Sequence, residues 1–158
     1  MSNAVSVIAP DALPYVDIER EFDFPVEAVF RAHRDPELYR QWLGPRGYET
    51  ELLEHDFSTG GRYRYIHHDG KGGTFAFRGV FHVVRDNDFA IQTFEFEGFP
   101  DVVSIESLQF ERLDGDRTRL HIHAVYPSME ARDGMVSSGM ENGVRQGYEQ
   151  LEELLARS

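Results

Sequence analysis

Cysteine is missing from this sequence altogether. That excludes disulfides, thiolate metal sites and a cysteine nucleophile, and it fits a reducing cytoplasm as the expected location. Long apolar runs are also missing: no stretch approaches the length of a membrane span, and the start lacks the basic-then-apolar layout of a signal peptide. Positive charge is scarce, with 16 Lys and Arg against 28 Asp and Glu and a formal net charge of −12. A chain this acidic, with no basic stripe, repels phosphate backbones, so neither nucleic acid nor a membrane is an expected partner. No repeat, low-complexity tract or linker divides the 158 residues. The expected organisation is therefore a loose leader over residues 1–13, whose Ser-Asn-Ala resembles a cloning remnant, and a single domain over residues 14–158.

What is present is hydrophobic and aromatic side chains, 41% and 13% of the chain, arranged with clear periods. From Arg132 the sequence has a polar start and then reads as one long amphipathic helix. Val136, Met140, Val144, Tyr148, Leu151 and Leu155 recur at helical spacing on one side. Gly139, Gly143 and Gly147 form a second stripe beside them, and each lowers helix propensity by roughly 1 kcal/mol relative to Ala. Such a strip suits either close helix–sheet approach or a gap left on purpose.

Upstream the period is mostly two. Tyr15–Phe22 alternates as a half-buried strand. Pro25 suits a helix first turn, and Asp35-Pro36 supplies an N-cap and N1 for a second short helix ending before Gly44-Pro45. Strands are expected at Tyr48–Asp56, Arg62–His68, Thr74–Arg85, Phe89–Glu97, Val102–Leu113 and Arg117–Tyr126, separated by turn-forming Gly, Asp and Asn. The resulting fold class is α+β: a seven-stranded antiparallel curved sheet wrapped around the C-terminal helix, with two short helices after the first strand.

Six segments carry a resemblance: DPELYRQWLGPRGYE, GGRYRYIHHD, FRGVFHVV, IQTFEFEG, DRTRLHIH and YPSMEARDGMVSSGMENGV. In this order they resemble bacterial members of the activator-of-heat-shock-ATPase homologue family, part of the START-like or SRPBCC helix-grip superfamily. The resemblance spans roughly Tyr15 to Ala156. It implies a deep cavity between sheet and C-terminal helix, which the superfamily uses for lipids, hormones and other apolar molecules. Fold alone does not assign a function.

Alternation nominates the residues facing that cavity. Tyr63, Tyr65 and His67 share a face of one strand; Phe75, Phe77, Phe81 and Val83 share a face of the next, with Gly79 between them. Leu108 and Phe110 define the inner face of a later strand, which puts Ser104 and Glu106 on it too. Leu120, Ile122 and Ala124 do the same for the last strand. Trp42 from the connector and Met135, Met140, Val144 and Tyr148 from the C-terminal helix oppose them. The candidate ligand-binding set is Trp42, Tyr63, Tyr65, Phe77, Phe81, Ser104, Glu106, Phe110, Met140, Val144 and Tyr148. For any one of these taken singly, a packed core is the commoner role, and the functional reading rests on the ensemble. Glu106 is the sharpest candidate, because a carboxylate on an inner sheet face is costly unless paired, hydrogen-bonded or protonated.

Other constellations are weak. The seven histidines include His121 and His123, which share the outer face of their strand without a third ligand, and there is no HExxH; neither a metal nor another cofactor is expected. Ser137 and Ser138 lack a nucleophile-elbow pattern. The leading reading is a non-enzymatic binder of a small apolar or aromatic molecule. A chaperone-contacting interaction module stays open, as does a cyclase- or hydrolase-type enzyme using Glu106 and the tyrosines. Homodimerisation through an exposed strand or the outer sheet face also stays open.

Overall fold

The computed structural model describes residues 3–158; Met1 and Ser2 of the expected leader lie outside the described residues. The first strand, β1 (Ser6–Ile8), falls inside that leader and pairs antiparallel with β2 (Tyr15–Phe22), with Val7 opposite Ile18. The leader is therefore not loose throughout. Two backbone carbonyls just beyond β1, those of Pro10 and Leu13, accept hydrogen bonds from the buried Arg132 guanidinium. A three-residue strand is too short to show a period of two, which is why alternation missed it.

Helices α1 (Val26–Arg34) and α2 (Pro36–Trp42) follow β2. Asp35 caps α2 by accepting from the Glu37 amide at 2.9 Å, with Pro36 in the first turn, as the sequence predicts. The Trp42 indole donates to the Ala32 carbonyl at 2.9 Å and so fixes the bend between the two helices. Six strands come next: β3 (Glu49–His55), β4 (Arg62–His68), β5 (Thr74–Arg85), β6 (Phe89–Phe96), β7 (Val103–Leu113) and β8 (Arg117–Val125). Among the described residues the antiparallel sheet has eight strands, not seven, in the order β1-β2-β8-β7-β6-β5-β4-β3.

Two bulges adjust the faces. In β5 the register slips between Phe81 and Val83, so Val84 comes to lie opposite the buried Ala90. Val84, not Val83, then continues the inner face, because an extra residue at a bulge inverts the alternation beyond it. In β3 the slip falls between Leu52 and Glu54 and leaves Leu53 exposed.

The C-terminal segment is two helices, α3 (Met129–Ser137) and α4 (Met140–Ala156), where periodicity gave one. Gly139 takes a left-handed conformation, φ +86°, at the junction. Its role is thus to turn the chain, a conformation open to glycine at little cost. Val136, expected on the buried stripe, belongs to α3 and is exposed. The core proper lies under the C-terminal half of α4, where Leu151 packs fully buried with Phe22, Val26, Val29, Phe30 and Leu120. Among the described residues no helix is long and apolar enough to cross a membrane.

Candidate functional site

The N-terminal half of α4 does not reach the sheet. Between them lies a cavity of about 390 Å³, partly open to solvent and bordered by α2, the loop 43–48 and α3. The glycine stripe thus separates into three roles. A side chain at Gly147 would meet the Trp42 carbonyl at 3.4 Å, so this residue marks close approach. Gly139 makes the turn. Gly143 faces the loop across open space, where an added Cβ would find only Pro45 Cγ, at 3.8 Å. Gly143→Ala is therefore expected to stabilise the protein by about 0.5–1 kcal/mol through helix propensity alone. That corresponds to roughly 1–4 °C in Tm for a chain of this size. A drop on thermal denaturation would mean that α4 packs closer to Pro45.

Of the sequence-predicted residues, Trp42, Tyr63, Tyr65, Phe77 and Phe81 line the cavity from α2, β4 and β5. Met140, Val144 and Tyr148 line it from α4, and Glu106 from β7. Two are placed elsewhere. Ser104 is buried with its hydroxyl directed to the Phe94 carbonyl at 3.4 Å. Phe110 packs edge-on against Phe30 and His33, in the solid core beyond the cavity. Both share the inner face with Glu106, but the void extends over only part of the strand.

Alternation of β6 would also have found Gln92 and Phe94, which line the cavity; the strand period was there to be read. Tyr39, His33 and Tyr126 also line it. Tyr126 continues the Leu120, Ile122, Ala124 alternation of the last expected strand and was as legible, whereas Tyr39 and His33 carry no such signal, since they sit on short connector helices.

Glu106 lies opposite Gln92 across β6–β7 and accepts a hydrogen bond from its side-chain amide at 3.0 Å. Protein surrounds the carboxyl, yet it keeps some accessible surface because it faces a void rather than packed atoms. Desolvation raises its pKa from 4.5 to about 7, and the Gln92 hydrogen bond offsets only part of this. A negative charge there is felt by the surrounding hydroxyls: it adds to burial in raising the pKa of Tyr39, Tyr63, Tyr65, Tyr126 and Tyr148. These phenols consequently stay protonated. Tyr63 is already committed, donating to the Thr93 carbonyl at 2.6 Å.

The two cavity histidines are neutral. Burial lowers His33 to about 4, and its Nδ1 lies 2.8 Å from the Val29 carbonyl, which can only accept; Nδ1 therefore carries the proton. Burial likewise lowers His67 to about 4. Its Nδ1 lies 2.9 Å from Thr50 Oγ1, which donates its one proton to the Leu43 carbonyl at 2.9 Å. His67 Nδ1 is then the donor, leaving Nε2 as an acceptor. The site combines an apolar aromatic wall, neutral donors and acceptors, and one titratable acid. His121 and His123 lie on the outer face, each 2.9 Å from Asp17 Oδ1. Among the described residues no group of three or more His, Asp or Glu could hold a metal ion.

A family profile described as Activator of Hsp90 ATPase homolog 1-like protein matches residues 23–156. Among solved structures, a protein from Arthrobacter aurescens is 26% identical over 97% of this chain and 92% of its own, with a TM-score of 0.87. One from Mycobacterium smegmatis is 25% identical, covering 96% of this chain and 97% of its own, at 0.86. A Silicibacter pomeroyi structure described as an AHSA1 protein shares the fold at 22% identity and a TM-score of 0.75, over 90% of this chain and 98% of its own. No curated protein sequence matches.

Proposed function

We propose that this chain, which belongs to the Activator of Hsp90 ATPase homolog 1-like family and has its SRPBCC-type fold, binds a small hydrophobic or aromatic molecule between sheet and α4, in the cytoplasm and without catalysing a reaction. The observation that carries the reading is the cavity itself. At about 390 Å³ it falls within the range of small-molecule sites. Its wall is made of large aromatics and methionines, with a few polar groups aimed inward, which is the usual anatomy of such a site. Filling a void of this size with side chains would have been the cheaper way to stability.

Trp42, the single tryptophan of the chain, forms part of the wall and provides an intrinsic reporter. Native mass spectrometry of protein purified from its host is expected to retain a small molecule. Re-adding that molecule should change Trp42 emission and, at a hundred times Kd, stabilise by about 2.7 kcal/mol. For a chain of this size that is roughly 5–10 °C in Tm. Val144→Trp, which fills the void, should abolish both responses. A response that survives the filling would place binding elsewhere and end this reading.

A further inference from the structure

Glu106 is an acid on the cavity wall, largely surrounded by protein, with no cation beside it among the described residues. Its hydrogen bond is to the neutral Gln92 amide, and no Lys or Arg occurs among the described residues lining the cavity. The histidines that share the wall each have one ring nitrogen engaged with a protein oxygen and are held uncharged by burial. Buried carboxylates are normally matched by a positive partner. Here the space where one would stand is open, and aromatic rings surround it. Tyr65 stacks on Phe77 at 5.2 Å and Phe77 on Phe94 at 5.4 Å, while Trp42 lies 6.0 Å from Tyr148. Ring faces attract cations through their quadrupoles, more strongly where water is excluded. An anionic amphiphile such as a fatty acid would meet the opposite: a like charge and no counter-ion.

We propose that the cavity selects a lipophilic amine, its ammonium group seated against Glu106 and its hydrocarbon or aryl body against the aromatic wall. The inference rests on the pocket reading above and adds the charge of the ligand. The ammonium supplies the missing partner, and the acid ionises as it arrives. The net charge of −12 favours approach of such a ligand from solution and disfavours anions.

Three probes of one shape separate the cases by calorimetry: 1-naphthylmethylamine, 1-naphthylmethanol and 1-naphthoate. At about pH 8 the amine is expected to bind at least about tenfold more tightly than the alcohol, and the carboxylate not at all. At about pH 6, where Glu106 is mostly protonated, amine binding should release most of one proton, read from heats in two buffers of different ionisation enthalpy. In Glu106→Gln the amine-to-alcohol ratio should fall to near one and the released proton disappear. Equal affinities for amine and alcohol, or a preference that survives Glu106→Gln, overturn the amine assignment while the pocket reading stands. Binding of none of the three overturns both.

Discussion

A single methyl group added at position 79 is expected to remove about 2–4 kcal/mol of stability. Gly79 lies in β5 directly opposite Tyr63, and the Tyr63 ring lies across it. An added Cβ would fall 2.1 Å from the Thr93 carbonyl oxygen and 2.6 Å from Tyr63 Cε2 and its hydroxyl. No real Cβ sits so close to a backbone oxygen, so β5 and β6 must separate there and the ring must move as well. Overpacking of this kind costs about 1–3 kcal/mol. Loss of the Tyr63–Thr93 hydrogen bond adds about 0.5–1.5 kcal/mol. For a chain of this size the sum corresponds to a fall of roughly 5–15 °C in Tm. A ring displaced from Gly79 swings into the cavity, so Gly79→Ala should weaken ligand binding as well. Unchanged melting would show that Tyr63 does not lie over this glycine.

The second large effect depends on pH. The folded protein holds the Glu106 proton up to about pH 7, whereas the unfolded chain releases it near the ordinary value of 4.5. Below that ordinary value both states are protonated and Glu106 costs nothing. As pH rises to about 7, the folded state binds more protons than the unfolded one, so stability falls, and above that the loss is complete. At 1.36 kcal/mol per pH unit, the full loss is ~3 kcal/mol. Glu106→Gln keeps the shape and cannot ionise. It is therefore expected to match the parent at about pH 4 and exceed it by up to ~3 kcal/mol at about pH 8, measured by denaturant titration at each pH. A constant difference across this range would mean that the carboxyl reaches water. The same substitution that strengthens the fold removes the one acid of the cavity, the usual tension between stability and a functional site.

Most of this architecture was legible because the strands alternate cleanly. Glu106 was found from its spacing to Leu108 and Phe110, which needs nothing beyond a period of two. Gln92 was as legible from the period of β6, but its pairing with Glu106 was not, since which residue lies opposite depends on the register between strands, and that is set by turns and bulges. Val83 was misplaced for the same reason: the slip between Phe81 and Val83 leaves little trace in the sequence when the two residues beyond it, Val83 and Val84, are alike. Tyr39 and His33 escaped because a short amphipathic helix shows which side is apolar and not where along the sheet it docks. Gly139 belonged visibly to a glycine stripe, but whether a glycine turns the chain, admits a close neighbour or borders a void depends on what surrounds it. Ser104 and Phe110 show the limit of alternation, which assigns a face and not where the void along that face ends.

The division of α4 into a half that rests on Leu151, Leu154 and Leu155 and a half that borders the void gives one helix two independent inheritances. On the proposed reading, changes in its opening turns would alter which molecule is accepted while the anchoring turns go on holding the sheet in shape. A lineage built on this plan, if it binds as proposed, would be free to exchange its bound molecule and still be recognisable from its backbone.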